Sequence, residues 1–164
     1  MDKRMIWAGV LAAVGLAGCA PEDPVAVSAP ASEAAYEDGI TLGGLAQVNK
    51  FRAQAGAGFL RKSAVLTQVA AVHAADLVAT GQFSHQGSDG SSVGDRARRA
   101  GYGYCFIAEN IARGQDTLDE VISGWMFSPG HRANMLHSRV DEFGIGIAQG
   151  PNGPIWVLVV ARGC

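Results

Sequence analysis

Four side chains of the sequence carry groups that bind divalent cations or transfer protons: His85, Glu109, His131 and Glu142. Imidazole and carboxylate groups are ligands of zinc and similar cations, and a zinc ion with an open position activates water for hydrolysis. Without a metal, a carboxylate orients a neighbouring imidazole and raises the pKa of the histidine. That hypothesis pairs Glu109 with His85 and Glu142 with His131. A polar network that only stabilises the fold is a third interpretation.

These four residues belong to separate segments, so the surrounding elements must bring them together. Ser128 followed by Pro129 is typical of a helix N-cap with proline in the first turn, and predicts a short helix that carries His131. Glu142 stands at the entry of a glycine-rich strand predicted over residues 143–148. His85 lies in a polar loop, and Glu109 lies in a short strand predicted over residues 105–112.

Hydrophobic spacing and capping residues predict the other elements. Helices are expected over residues 42–55, 64–80, 93–100 and 118–126, the last three capped by Ser63, Ser92 and Thr117. A strand over residues 155–161 forms a hairpin with the strand over residues 143–148. Because residues 155–161 are all apolar, both faces of the sheet should be covered by helices. We therefore expect an α/β fold, a three-layer α–β–α sandwich with a small central, largely antiparallel sheet.

Two further residues could be functional groups. Ser92 stands in a G-x-S-x-G pattern, but a nucleophile elbow requires a preceding strand and an alternating β/α chain, which the sequence lacks. His73 falls on the apolar face of the helix over residues 64–80 and is predicted to be a hydrogen-bonded core residue.

The N-terminus has the features of an export signal. Lys3 and Arg4 precede an apolar run over residues 5–17 that is too short to span a bilayer comfortably. Residues 16–19, Leu-Ala-Gly-Cys, resemble a bacterial lipobox. We predict a lipoprotein signal peptide over residues 1–18, a flexible tether over residues 19–41 that starts at lipidated Cys19, and one domain over residues 42–164. An ordinary signal peptide that happens to contain a cysteine is the alternative.

Lipidation of Cys19 would leave Cys105 and Cys164 as an even pair in an oxidising compartment. A disulfide between them would contribute roughly 4 kcal/mol in the chain-entropy model. Two free thiols are the alternative.

Composition limits the class of protein. The 164 residues are 48% hydrophobic and 17% charged, which supports a full core and argues against general disorder. A formal net charge of −2, with lysine only at positions 3, 50 and 62, does not indicate a nucleic-acid partner.

Several motifs together resemble the bacterial branch of the CAP superfamily (SCP/PR-1-like). They are Phe83-Ser-His85, Ala108-Glu-Asn-Ile111, Trp125-x-x-Ser-Pro-Gly-His131-Arg-Ala-Asn-x-Leu136 and Glu142-Phe-Gly-Ile-Gly146. The resemblance implies secretion, an α–β–α sandwich, and a cleft lined by histidines and acidic residues at positions 85, 109 and 131. Many eukaryotic members place a second glutamate where Ser128 stands here, and bacterial relatives tend to carry one at the position of Glu142.

The sequence thus predicts a lipid-anchored extracytoplasmic CAP domain, on the outer membrane or the periplasmic face if the cell is Gram-negative. It would act as a binding or envelope-associated module. Its partners would be the membrane and an envelope protein, a lipid or a peptide. The cofactor hypothesis is a divalent cation bound by the four residues His85, Glu109, His131 and Glu142. A metal-assisted hydrolase of peptide or cell-wall material and a small-lipid carrier are the alternatives, so the question of catalysis stays open.

Overall fold

The computed structural model describes residues 31–164, which contain five helices and four strands. In chain order they are α1 (Ala31–Gln54), β1 (Arg61–Lys62), α2 (Ala64–Thr80), α3 (Val93–Arg99), β2 (Tyr104–Arg113), α4 (Leu118–Phe127), α5 (Pro129–Met135), β3 (Glu142–Gly150) and β4 (Gly153–Gly163). The predicted signal peptide, Cys19 and residues 19–30 of the predicted tether lie outside the described residues. Among the helices that are described, none is long and apolar enough to cross a membrane.

The four strands form one sheet in the order β1-β3-β4-β2. β4 pairs antiparallel with both β2 and β3, and only the short β1 runs parallel to its neighbour β3. The predicted hairpin is β3 and β4. β4 occupies the middle of the sheet and is buried from Pro154 to Ala161, as its apolar sequence predicted.

Helices cover both faces of this sheet. On one face α1, α4 and α5 enclose a core that includes Trp125, Phe143 and Trp156. On the other face α2 packs on a second core that includes Leu66, Leu77 and Val157. The alternation of side chains along β4 feeds both cores, because successive residues of a strand point to opposite faces. The predicted three-layer α–β–α sandwich with a largely antiparallel sheet is confirmed.

Glycines of β3 allow α2 to lie directly on the sheet. A Cβ atom at Gly144 would overlap the backbone of Leu66 and Thr67, and one at Gly146 would overlap the backbone of Ala70 and Ala71. The absence of a side chain at both positions therefore determines how closely α2 packs on the sheet. The same packing sets the distance from His73 of α2 to the neighbouring strands.

Capping signals account for most helix boundaries. The hydroxyl of Ser63 accepts a hydrogen bond from the Leu66 amide, and α2 ends at Gly81 with φ of 70°. Ser92 and Thr117 each form a capping box, with Asp95 and with Glu120. The predicted cap at Ser128 lies at the right position but makes no side-chain cap hydrogen bond. The helix there is started instead by the proline at its first position.

α1 is longer than the sequence predicted. It begins at Ala31 rather than at residue 42, so its first turns occupy the end of the stretch interpreted as a flexible tether. The three prolines of that stretch, Pro21, Pro24 and Pro30, all precede the helix. Because proline is the residue that most disrupts a helix interior, the chain after Pro30 is free to be helical, and Thr41 is fully buried.

A buried arginine ties α1 to the connection between α5 and β3. Arg52 is 1% exposed. Its guanidinium donates to the carbonyl oxygens of Met135 (2.9 Å), His137 (3.0 Å), Val140 (3.2 Å) and Gly58 (2.5 Å). One side chain thus binds four carbonyl groups, of which that of His137 also accepts from the Val140 amide at 3.4 Å.

The predicted disulfide between Cys105 and Cys164 is present, with the two Cα atoms 5.0 Å apart. It joins the start of β2 to the residue after β4. The Cys164 amide also donates to the Gly103 carbonyl at 3.2 Å.

Candidate functional site

A histidine and a carboxylate meet at the middle of β2. Nδ1 of His85, in the loop after α2, lies 2.9 Å from Oε1 of Glu109. The Glu109 side chain is 2% exposed, whereas the His85 side chain is 58% exposed. The pair predicted from the sequence is therefore formed, with the carboxylate buried below an imidazole that faces solvent. Since Nδ1 is directed at Glu109, Nε2 is the ring nitrogen left for a ligand.

Arg96 of α3 supports this pair from beneath. Its Nη2 donates to Oε2 of Glu109 at 2.7 Å, its Nη1 donates to the Ser91 carbonyl at 2.8 Å, and both reach the His85 carbonyl at 3.2–3.3 Å. The Arg96 side chain is 9% exposed. One guanidinium thus holds both members of the pair, and both carboxylate oxygens of Glu109 are engaged. Arg96 was not predicted as a site residue, because nothing in its local pattern distinguishes it from the two exposed arginines nearby.

His73 closes the cluster from α2. The residue is fully buried, its Nε2 donates to the Ser84 carbonyl at 3.1 Å, and Nε2 lies 3.8 Å from Oε1 of Glu109. Burial lowers the pKa of His73, which favours the neutral ring. The prediction of a hydrogen-bonded core histidine is confirmed, and the residue is also a neighbour of the site.

The electrostatics of His85 follow from its partner. The hydrogen bond to Glu109 raises the pKa of His85, and this outweighs the opposing effect of burial. A protonated His85 presents an N–H donor at Nε2, and a neutral His85 with its proton on Nδ1 presents an acceptor there. The exposed nitrogen therefore changes from donor to acceptor as the pH passes the pKa of His85.

His131 stands in the first turn of α5, the helix that packs beside α4 on the other face of the sheet. Asn110 points to that face, and its Nδ2 donates to the His131 carbonyl at 3.1 Å. Asn134 ties α5 to β2 as well, by donating to the Glu109 carbonyl (3.2 Å) and to Oδ1 of Asn110 (2.9 Å). Burial lowers the pKa of His131, and the charge of His85 lowers it further.

Glu142 has a different environment. Its Oε2 accepts a hydrogen bond of 2.6 Å from the Tyr102 hydroxyl, and its Oε1 lies 3.4 Å from Nη2 of Arg61. Burial, followed by the hydrogen bond to Glu142, raises the pKa of Tyr102. The predicted pair of Glu142 with His131 is not formed, because Glu142, at the start of β3, is hydrogen-bonded to Tyr102 instead. Tyr102 follows a helix-ending glycine and carried no signal that could have assigned it this partner.

Metal binding requires several ligands at one point, and the geometry limits which side chains can contribute. Within residues 31–164, no group of three or more His, Cys, Asp or Glu side chains is placed to hold a metal ion. Of the four residues proposed from the sequence, Glu109 is held by His85 and Arg96, and Glu142 is held by Tyr102. The two imidazoles at positions 85 and 131 are the remaining donors.

A cleft of about 470 Å³ opens above the His85–Glu109 pair. Its lining residues are mostly polar: His85, Gln86, Gly90, Ser92, Val93, Asp95 and Glu109. The Ser92 hydroxyl is committed to Asp95 in the capping box of α3. This helix-capping role agrees with the interpretation that Ser92 is not a nucleophile. The cleft suits a ligand that exchanges hydrogen bonds with its walls.

Comparisons with known proteins agree on one family. The model of the CAP family, the cysteine-rich secretory protein family, matches residues 45–160. YkwD of Bacillus subtilis (strain 168) is 33% identical over 129 residues, which are 79% of this chain and 48% of YkwD. The membrane protein YlbC of the same organism is 28% identical over 99 residues, 60% of this chain and 29% of YlbC. The chain therefore spans less than half the length of both curated relatives.

Solved structures share the fold. An extracellular protein containing an SCP domain from Bacillus anthracis str. Ames superimposes with a TM-score of 0.71 at 25% identity, over 77% of this chain and 41% of that one. An outer surface protein from Borrelia burgdorferi superimposes with a TM-score of 0.68 at 20% identity, over 73% of this chain and 90% of that one.

Proposed function

The chain belongs to the CAP family, the cysteine-rich secretory protein family, and on that premise we propose that it is an extracytoplasmic binding module held at a membrane through lipidated Cys19. The lipobox at residues 16–19 supports the anchor, and a compartment that forms disulfides suits the Cys105–Cys164 bridge. Two similar structures belong to proteins described as extracellular and as an outer surface protein.

The binding role is supported by one observation: His85 is exposed, whereas the Glu109 carboxylate beneath it is buried and bound by both His85 and Arg96. Glu109 and Arg96 fix the ring orientation before any ligand arrives, so binding does not have to order the imidazole. The surrounding walls add the side-chain amide of Gln86 and the half-exposed carboxylate of Asp95. A polar ligand, such as a segment of an envelope protein or peptide, matches these groups.

Site-specific photo-crosslinking in the exporting cell tests this role. A photoreactive residue at Gln86, which is exposed and lines the cleft, should form a discrete adduct that mass spectrometry identifies. The same residue at Ser123, exposed on α4 across the sheet, is the matched control. The adduct at position 86 should be lost when His85→Asn is added. Equal adducts at both positions, or adducts indifferent to His85→Asn, would contradict a binding role for the cleft.

A divalent cation is the second candidate ligand, favoured by one feature of the site. Histidines that ligate metals commonly bond a carboxylate through their other ring nitrogen, which is how Glu109 holds His85. His85 and His131 would hold the cation, and water would complete its coordination. Such a cation would act as a Lewis acid toward bound oxygen groups.

Thermal unfolding tests the cation separately. If zinc binds the folded protein, excess zinc chloride should raise its Tm by mass action, while magnesium chloride should leave it unchanged. His85→Asn and His131→Asn should each lose most of the zinc effect. A wild-type Tm that zinc does not raise would remove the cation from the proposal and leave the crosslinking result untouched.

The membrane anchor has its own test. Cys19→Ala should leave the precursor unlipidated and shift the protein out of the membrane fraction, because the cysteine thiol is the acylated group. Metabolic labelling with a clickable fatty acid and fractionation measure both effects. Unchanged labelling and fractionation of the variant would overturn the anchor.

A further inference from the structure

One edge of the sheet is only partly paired. β3 lies between β4 and the short β1, and β1 pairs only with Glu142 and Phe143. Beyond Phe143, no other strand within residues 31–164 lies on the outer side of β3. An unpaired strand edge presents a row of backbone N–H and C=O groups that can pair with another chain. The outer side of β3 is therefore a candidate interaction surface.

The register of the sheet shows which backbone groups of β3 point outward. Successive residues of an antiparallel strand direct their N–H and C=O groups alternately to the paired neighbour and to the other side. The Phe143 carbonyl is directed outward, because it accepts from the Ser63 amide at 2.9 Å. β3 pairs with β4 along its whole length without a register shift. Counting in steps of two from Phe143, the backbone groups of Ile147 and Gln149 are therefore directed outward as well.

A groove of about 560 Å³ lies along this edge. Tyr36 of α1 forms one wall, Ala71, Val72 and Ala75 of α2 form the other, and residues 147–149 of β3 form the floor. α1 and α2 cover opposite faces of the sheet, and the inner side of β3 is occupied by β4. A groove that contacts both helices and β3 must therefore lie at the outer edge, where the backbone groups of positions 147 and 149 point.

This part of the edge is neither paired nor protected. Within the described part of the chain, no hydrogen bond joins the outward backbone groups of Ile147 or Gln149 to a protein group. Gln149 is exposed and Ile147 is half-buried, whereas the preceding outward residue, Ile145, is buried. β3 has no charged residue, proline or bulge after Glu142, and these are devices that commonly protect edge strands.

We propose that this groove binds an extended segment of a partner polypeptide, which adds to the sheet as a strand beside Ile147 and Gln149. The backbone groups decide the class of ligand, because N–H donors and C=O acceptors at strand spacing match the main chain of an extended peptide. The lining contains no charged side chain, and Ala71 and Ala75 leave room for apolar side chains of the segment. β2, which carries Glu109, is the opposite edge of the sheet, so this site is independent of the function proposed above.

Amide hydrogen exchange tests the pairing residue by residue, measured by NMR on the protein purified in detergent from the exporting cell. The amides of Ile147 and Gln149 should exchange quickly in the free protein, and that of Ala148, which faces β4, should exchange slowly. The uncharged peptide acetyl-TVTVT-amide, at saturation, should slow exchange at Ile147 and Gln149 by about tenfold or more. The same peptide methylated at every amide nitrogen has no main-chain N–H donor and should have no effect.

Two pairs of variants test the location. Gln149→Pro removes the outward N–H and should abolish the protection of Ile147 by the peptide, whereas Gln149→Ala keeps the N–H and should retain that protection. Ala75→Trp should fill the groove and block the peptide. Ala79→Trp, exposed on the same helix outside the lining, should not block it.

Several results would overturn the proposal. Protection of Ile147 and Gln149 without peptide would mean that another part of this chain or a second copy covers the edge. The proposal also fails if the peptide protects neither amide or if the methylated peptide binds equally well. It fails as well if Gln149→Pro and Ala75→Trp remain folded and leave the protection unchanged.

Discussion

At the scale of single residues, the His85–Glu109 pair makes stability depend on pH. Glu109 raises the pKa of His85 above the free value of about 6.5, so the folded state binds this proton more tightly than the unfolded chain. The resulting contribution to folding stability is complete below the pKa of His85 in the unfolded chain. It is lost as the pH rises through the pKa of His85 in the folded protein. Comparing wild type with His85→Asn by urea unfolding, we expect the variant to lose more stability at about pH 5.5 than at about pH 9.

His131 is the internal control, because its pKa is shifted the other way. Burial lowers the pKa of His131, so the contribution of this residue to folding stability is present at high pH. That contribution is lost as the pH falls through the pKa of His131 in the folded protein. His131→Asn should therefore show the opposite slope. Parallel slopes for the two variants, or a His85 pKa by NMR at or below that of a free histidine, would contradict the geometry of the pair.

The residue types of the site were readable from the sequence, but their partners were only partly so. His85 and Glu109 could be paired because each stands in a recognisable motif. Glu142 could not be assigned, since its partner Tyr102 lies 40 positions away and outside any motif. Arg96 stands beside two exposed arginines, and which of them points inward depends on how α3 docks on β2, which is a tertiary property.

At the scale of elements, the contact between α2 and β3 depends on glycine. Gly144→Ala should destabilise the protein by about 1–3 kcal/mol or more, because the added methyl group must push the backbone of α2 away from the sheet. Chemical denaturation measures the change. Gly124→Ala is the matched control: Gly124 lies on an exposed turn of α4 with open space around its Cβ position. It should stabilise by roughly 0.5–1 kcal/mol. Similar effects at both positions would show that close approach is not the cause.

The helices with polar caps were predicted to within a residue or two, since capping is encoded locally. Ser63, Ser92 and Thr117 each accept a backbone hydrogen bond three residues on. α1 was predicted too short because it has no such cap at residue 42. β1 was not predicted at all, because two residues carry no detectable period and their pairing with β3 is decided by the tertiary structure.

At the scale of the whole molecule, the disulfide fixes the end of β4 to the start of β2. The Cys105→Ser, Cys164→Ser double variant should lose about 4 kcal/mol, the value of the chain-entropy model for a loop of this length. Urea unfolding of oxidised protein against the double variant measures it. Mass spectrometry under non-reducing conditions should find the two cysteines linked in protein from its native compartment. Finding two free thiols there would contradict the bridge.

The layered architecture was predictable because residues 155–161 of β4 are all apolar and must be covered on both sides. The cluster around Glu109 was only partly predictable, because its members come from α2, the following loop, α3 and β2, which meet only in the tertiary structure.

The hydrogen bonds of Arg52 also determine when the fold can be completed during synthesis of the chain. They join positions separated by 83, 85 and 88 residues along the chain. A chain that emerges N-terminus first exposes α1 early, but the carbonyls that receive its guanidinium emerge only with residues 135–140. Contacts of such large sequence separation form late and raise the contact order of the fold. Folding therefore waits for nearly the whole domain to emerge, and α1 spends that interval without the groups that bury its arginine.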